Sequence, residues 1–426
     1  MGLSLLVFAI FLVLLFFAVP LGFAMAFAGL AVLGIEGSGS ALGAIPQIFN
    51  GMNSITLLAV PFFVLSGTLM EHGKISEGLV GFAKAWVGHF KAGLAYVSVL
   101  AAMMFSAVSG TTIAVALAFG NLLAPAMKRD GYTPGFIAAI QACGGTIGPI
   151  IPPSVLFVMY ASISGLSIGA LFISGVIPGV MMGVSLMVVS YFLLRKRDIK
   201  KSLPMPFKQR IIETFKSIPA LLMPVIIIGG TMAGFSSPSE AGTVACVYAL
   251  LVGTFFYKGI KLKDLPKMFG RAAMSACAAF MMLGFAGVMN YTLTRLNFAR
   301  YIGAFLTGFV SSGTGLLLII TVFLLILCCF MDTMAALVVF VPIFYPLAAV
   351  FDVNPIHLAL IIVVCLVIGT VTPPVGILLS VTSQLHGIPM QKTFRDLWPM
   401  LIALVTVLIL CLFIPQLSTW LPGLVY

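Results

Sequence analysis

The chain has 426 residues, of which 61% are hydrophobic and 8% charged. A soluble domain carries about 25% charged residues to keep its surface hydrated, so an ordinary soluble enzyme or binding module is excluded and an all-α polytopic membrane protein is expected. The net charge of +11 lies in short polar gaps between apolar runs, which excludes a nucleic-acid-binding face and marks loops on one side of a bilayer.

The apolar runs recur along the whole length at about 20 residues each, enough to cross a hydrocarbon core of roughly 30 Å. The first, Leu3 to Val19, continues into further apolar sequence with no A-x-A-like site, so it reads as a membrane helix and not as a cleaved signal. Residues 3–19 and 21–35 form a pair that begins and ends outside, and 54–71 cross inward. From Glu71 to Lys91 the sequence interleaves Glu77, Lys84 and His89 with Leu79, Phe82 and Trp86; this is an amphipathic helix in the interface, placed at 72–91.

About 35 residues separate Lys91 from Lys128, too many for one crossing and too few for two. A re-entrant hairpin over 93–127 fits, with legs of roughly 15 residues rising about 22 Å. Its turn is the polar patch from Ser106 through Ser109, Gly110 and Thr111 to Thr112. Residues 135–162 then cross outward and 169–194 return. The basic stretch from Arg195 to Lys216, with Pro204 and Pro206, is the longest polar linker, set at 195–217. It divides a first half, 1–194, from a second, 218–426.

In the second half, Glu240 follows Ser236-Ser237-Pro238-Ser239 at an outer turn and reads as a helix cap. A crossing over 272–291 is followed by Arg295, a second hairpin over 314–350 turning at Met331-Asp332-Thr333, and a crossing over 356–385. With the basic gaps in the cytoplasm, 20 of the 22 Lys and Arg share one side, leaving Arg295 and Arg300 outside.

The halves repeat. At an offset of 221 residues, 104–162 align without a gap on 325–383, with 12 of 59 positions identical. Each window holds five prolines and four coincide: Pro125 with Pro346, Pro134 with Pro355, Pro152 with Pro373, Pro153 with Pro374. Proline in a membrane helix has a positional cost, so shared positions report shared backbone geometry. The basic loop at Lys128-Arg129 corresponds to Val350–Asn354, which has no base, so the copies face opposite ways. Two inverted repeats are expected, each with five crossings and one re-entrant hairpin, as in many secondary transporters.

Each hairpin precedes a crossing interrupted at its middle. The first runs Gly144-Gly145-Thr146-Ile147-Gly148-Pro149 to Pro152-Pro153-Ser154, the second Gly369-Thr370-Val371-Thr372-Pro373-Pro374-Val375-Gly376. Gly and Pro break the helix, and the freed backbone groups must be satisfied inside the bilayer. Carbonyls with Ser and Thr hydroxyls suit a small hard cation, and exposed helix N-termini attract anions. Two such places, one per repeat, would make two sodium sites flanking a substrate. Asp332, at mid-membrane, could bind the coupling cation, pair with Arg295 or hydrogen-bond a substrate. Arg295 could meet a substrate carboxylate.

Leu58-Ala-Val-Pro61-Phe62-Phe63-Val-Leu-Ser-Gly67, with Ser106 to Thr112, Gly145 to Pro153 and Gly369 to Pro374, resembles the large membrane subunit (DctM-like) of the tripartite ATP-independent periplasmic (TRAP) transporters over essentially the whole chain. The resemblance implies an elevator-type carrier, with a rigid scaffold and a mobile transport domain holding both hairpins. It implies sodium-driven uptake, across the bacterial inner membrane, of an organic acid of the sialic acid or C4-dicarboxylate type. The partners implied are a periplasmic substrate-binding protein and a small four-helix membrane subunit, expected as a separate chain because no fused segment precedes Met1. Carried onto this chain, sodium falls to Ser106, Ser109, Gly110, Thr111, Gly145, Gly148, Pro149, Asp332, Thr333, Gly369, Thr370 and Thr372. Substrate falls to Ser109, Thr111, Ser154, Arg295 and Asp332.

The rival within transport is a stand-alone sodium/dicarboxylate carrier, and more remotely an ion channel. An enzyme is not expected: no nucleophile elbow, HExxH or Walker loop occurs, and no histidine lies beside the candidate serines. The seven cysteines lie in apolar segments without CxxC and read as packing residues. No cofactor is expected beyond the coupling sodium ions.

Overall fold

The computed structural model describes residues 2–37, 41–200, 203–232, 236–310 and 312–425, and among these every regular element is helical. Lys201 and Ser202 of the expected linker lie outside the described residues. The first half begins with α1 (Gly2–Phe16), α2 (Leu21–Glu36) and α3 (Ala41–Met52). A 3-10 turn at Ile55–Leu58 leads into α4 (Ala59–His72). Helix α1 ends at Phe16, short of the expected residue 19, because the residue before Pro20 is pushed out of helical geometry.

Helix α5 (Ile75–Val87) follows Lys74, whose φ of 58° reverses the chain, and it buries Ile75, Leu79, Val80 and Ala83 along one face. The first hairpin is α6 (Gly93–Ser109) and α7 (Thr112–Arg129). Its following crossing is split into α8 (Pro134–Gly145) and α9 (Val155–Ser164), with a cis bond between Pro152 and Pro153 in the gap. Then come α10 (Ile168–Ser174) and α11 (Val176–Leu194).

The second half has α12 (Phe207–Met232), α13 (Pro238–Leu251) with a π-helical extension to Phe256, and α14 (Leu265–Arg295). Ser237 and Glu240 cap α13 reciprocally: Glu240 accepts from the Ser237 amide at 2.6 Å, and the Ser237 hydroxyl accepts from the Glu240 amide at 3.3 Å. This is the cap expected from sequence. Helix α15 (Phe298–Thr307) leads to α16 (Gly313–Leu327), α17 (Thr333–Phe344) and α18 (Leu347–Val350). Next are α19 (Pro355–Gly369) and α20 (Ile377–Leu385), with a cis bond between Pro373 and Pro374 in the gap, and then α21 (Phe394–Phe413) and α22 (Gln416–Val425).

The 221-residue spacing runs through these elements. Thr112 and Thr333 open α7 and α17, and Pro134 and Pro355 open α8 and α19. Helix α15, which sequence left unassigned, stands at the position of α5 and is likewise one-sided, with Phe298 and Gly303 buried and Tyr301 and Phe305 exposed. Helix α14, 31 residues long, stands where the first half has α3, the 3-10 turn and α4.

The helices pack in two groups. Helix α14 lies along α2, α3 and α4, with α13 on α4 and α12 on α5 and α13. In the other group the halves exchange elements: α20 packs on α7 and α8, while α9 packs on α17. Every residue of α19 from His357 to Gly369 is buried, as is α8 from Gly135 to Gly145; helices apolar on all sides belong at a centre. Seven described segments are long and apolar enough to cross a bilayer as single helices. Parts of the hairpins and interrupted crossings, Gly93–Ser106, Val155–Ser164, Gly313–Leu327 and Pro355–Gly369, are shorter apolar helices of 10–17 residues, while Thr333–Val350 of the second hairpin is among the seven. The start of the basic linker docks on the second group: Arg197 pairs with buried Asp396 and donates to Thr133 at 3.0 Å, and the Lys200 amide donates to the Asp130 carbonyl at 3.1 Å.

Candidate substrate cavity

The turn of the first hairpin is two residues between helices. Gly110 has φ +59°, a left-handed conformation that favours glycine. A methyl group added there would also lie 3.0 Å from the Pro153 carbonyl and the Val155 amide, so the turn is seated on the gap between α8 and α9. Thr111 is extended, and its hydroxyl lies 3.4 Å from that of Ser109. In the second hairpin the corresponding turn is capped by Asp332, whose Oδ2 accepts from the Met334 amide at 2.9 Å and the Ala335 amide at 3.5 Å.

Both turns open onto one cavity of about 430 Å³. Ser109, Gly110, Thr111 and Thr112 line it from one hairpin, Asp332, Thr333 and Met334 from the other, and Pro149 from the first gap. The facing wall is α4, through Val60, Val64, Gly67, Thr68 and Glu71, with Ser275 and Ala279 of α14. Sequence reading missed that wall. The α4 residues recur every three or four positions, the spacing of one helix face, but periodicity does not say which neighbour a face meets.

The two gaps gather backbone oxygens. A methyl group at Gly148 would lie 2.8 Å from the Thr111 carbonyl and 3.1 Å from the Gly145 carbonyl, and one at Gly145 would lie 2.9 Å from the Thr112 carbonyl. Glycine thus lets the α8 end approach the first hairpin turn. In the second gap, the Gly376 amide donates to the Cys329 carbonyl at 3.2 Å, and the Leu378 amide to the Thr370 carbonyl at 3.0 Å. Gly369 abuts Cys328 of the second hairpin. The Thr370 and Thr372 hydroxyls turn back onto the carbonyls of Val367 and Ile368, at 2.6 and 2.8 Å.

Of the residues singled out from sequence, Ser109, Gly110, Thr111, Pro149, Asp332 and Thr333 share the cavity wall. Gly145, Gly148, Gly369, Thr370 and Thr372 lie behind it in the gaps. Ser106 is buried with its hydroxyl on the Ala102 carbonyl at 2.6 Å. Ser154 is not on the wall: it caps α9, accepting from the Phe157 amide at 3.2 Å and donating to the Pro149 carbonyl. A buried hydroxyl at a helix start satisfies the amides there, and both of these hydrogen bonds stay within the gap and the start of α9. Arg295 is not on the wall either. It ends α14, and its Nε donates to Glu36 at 3.1 Å; the alternative pairing with Asp332 is not formed.

A helical, multi-pass membrane protein with two hairpin turns meeting at one polar cavity has the architecture expected of a membrane carrier. Residues 8–417 match the family described as "Tripartite ATP-independent periplasmic transporter, DctM component". The chain is 37% identical over 377 residues to the C4-dicarboxylate TRAP transporter large permease protein of Pseudomonas aeruginosa, covering 88% of each chain. It is 36% identical over 415 residues to the sialic acid TRAP transporter large permease protein of Vibrio cholerae, covering 96% of each. The crystal structure of the Alcanivorax borkumensis YdaH transporter shares the fold with a TM-score of 0.60 at 13% identity, covering 90% of this chain and 88% of that one. The chain belongs to the DctM family: it is a large permease component of a bacterial TRAP transporter, and its relatives are transporter permeases and not enzymes.

Proposed function

We propose that the chain couples sodium influx to uptake of an organic acid, delivered by a periplasmic binding protein, across the bacterial inner membrane beside a small membrane subunit. The observation that carries this reading is the charge of the cavity. Among the described residues its lining includes the carboxylates Glu71 and Asp332 and no Lys or Arg. An anionic substrate entering it meets like charge in a medium where charge is costly. The helix N-termini of α7 and α17, both at the wall, favour an anion, and co-bound cations neutralise what remains. The carbonyls around Gly145, Gly148 and Thr111 in one gap, and around Thr370 and Gly376 in the other, are hard oxygen donors of the kind sodium takes.

The reading extends to two inverted repeats that build a scaffold (α1–α4 and α12–α14) and a transport domain (the hairpins and interrupted crossings), joined through the amphipathic arms α5 and α15. The 221-residue register of these elements supports it. The main cavity is lined by Glu71 near the Lys74 end of α4 and by Ser275 near the Arg271 end of α14, the side rich in basic residues, which supports a conformation facing the cytoplasm. Farther along α14 a smaller space of about 150 Å³ lies between α3, α9, α14 and α17, lined by Asn50, Ser54, Ser162 and Asn290. Movement of the hairpins along α4 and α14 would exchange the two. The named relatives take C4-dicarboxylate or sialic acid, and both substrates bear carboxylates.

Uptake of labelled organic acids into proteoliposomes, with and without an inward sodium gradient and with each partner added in turn, tests the proposal. Accumulation that needs sodium, the binding protein and the small subunit is expected. Equal uptake without sodium refutes the coupling, and equal uptake without the binding protein points to a stand-alone carrier.

A further inference from the structure

On the half of the chain poor in basic residues, which the charge distribution puts outside, two neighbouring depressions share Phe298 and Ile343. One is a groove of about 350 Å³ between α1, α15 and the second hairpin, and every residue lining it is apolar. Its floor is the ring cluster of Phe323, Phe340 and Phe344, whose centroids lie 5.1 to 5.9 Å apart. It is open to the bilayer, with Phe305 56% and Phe323 41% exposed. The other depression, about 310 Å³, holds the exposed Arg300 beside Asn290, Thr294 and Asn297.

A charged, hydrogen-bonding pocket that continues into an apolar groove matches an amphiphile, with one end anionic and the other hydrocarbon. A soluble organic acid would use the Arg300 pocket and leave the groove without a partner. A phospholipid fills both, its phosphate matched by the forked guanidinium and its acyl chain continuous with the surrounding membrane. We propose that Arg300 and this groove form a site for one anionic phospholipid in the outer leaflet. The walls of the groove come from α1 and the arm α15, and its floor from α16 and α17. A lipid seated there is wedged between the arm and the hairpin it carries, so it holds the second hairpin against α1 and slows its displacement.

The test is native mass spectrometry of the full chain, released from membranes containing phosphatidylglycerol or phosphatidylcholine. The wild type should retain one phosphatidylglycerol with at least tenfold preference over phosphatidylcholine. Arg300→Gln should lose the preference, and Ile302→Trp, which fills the groove without touching the charge, should retain neither lipid. Thermal midpoints of both variants in phosphatidylcholine should match the wild type, and only the wild type should gain stability from phosphatidylglycerol. Equal retention of the two lipids by the wild type, or undiminished phosphatidylglycerol retention by Arg300→Gln, overturns the site. So does a rise in substrate KM in Arg300→Gln that is the same in both lipids, which would assign the pocket to a soluble anion.

Discussion

Gly67 of α4 stands directly against Ser109 of the first hairpin turn: a methyl group added at Gly67 would lie 3.2 Å from the Ser109 Cα. The turn therefore rests on α4 where α4 has no side chain, and both residues line the main cavity. Gly67→Ala should be tolerated with a modest loss of uptake, because a shift of a few tenths of an ångström relieves the contact. Gly67→Leu should lower uptake by roughly tenfold or more, since overpacking costs about 1–3 kcal/mol. Initial uptake rates, with membrane insertion checked by chromatography in detergent, decide the point. Wild-type transport by Gly67→Leu would mean that the hairpin does not seat there during the cycle.

The pair of Arg295 and Glu36 lies at the C-terminal ends of α14 and α2, both partly exposed and away from the cavity. Exposed pairs contribute little. Arg295→Ala should leave uptake and substrate KM within about twofold of wild type. A large rise in KM would restore Arg295 as a substrate contact.

Asp396 is buried, and it is held by Arg197 from the linker and by the Thr133 hydroxyl at 3.3 Å. Hydrogen bonds to charged groups contribute about 1.5–3 kcal/mol. Asp396→Ala should lower the thermal midpoint in detergent and free the linker for proteolysis after Arg195 or Lys196. Adding Arg197→Ala should cost little more, because the two residues act as a unit. Additive losses would show that they are not coupled.

His386, in the loop after α20, donates from Nε2 to the Gln141 Oε1 and ties the end of the second interrupted crossing to α8. Burial, and secondly the Lys128 charge, hold its imidazole below the ordinary value of 6.5. The folded chain therefore stays neutral at a pH where the unfolded chain takes up a proton. The stability this confers is complete above 6.5 and is lost as pH falls below it. Thermal midpoints should decline from pH 6.5 toward 5, and His386→Gln, which keeps a hydrogen bond without titrating, should flatten that decline. The same slope in the variant would assign the pH dependence to other groups.

Much of the architecture was legible because membrane helices obey hard rules of length, charge and backbone satisfaction. Prolines and glycines at matched spacing located the two gaps, and the polar runs at Ser109–Thr112 and Asp332–Thr333 located the two turns. Function within those runs was less legible. Ser154 and Ser109 are both serines beside a helix break, yet one caps α9 and the other faces the cavity, a difference made by the packing of a distant segment. Arg295 was ambiguous for the same reason, since Glu36 is 259 positions away. Helix α15 is hard to read from sequence because it carries a single charge, Arg300, where α5 has Glu77 and Lys84. The α4 and α14 wall escaped because a small-residue face is as common at a plain helix contact as at a cavity.

The account rests on the hairpin turns acting as ion and substrate sites and not merely as well-capped turns, and Asp332 separates the two. Asparagine can still accept the Met334 amide, so Asp332→Asn preserves the cap while removing the charge. The measurement is the sodium dependence of the initial uptake rate for wild type and Asp332→Asn in proteoliposomes with both partners. The account predicts a half-saturating sodium concentration raised by about tenfold or more, about 1.4 kcal/mol of lost cation affinity, with the fold intact. Uptake by Asp332→Asn with wild-type rate and wild-type sodium dependence would contradict it and leave Asp332 a helix cap alone.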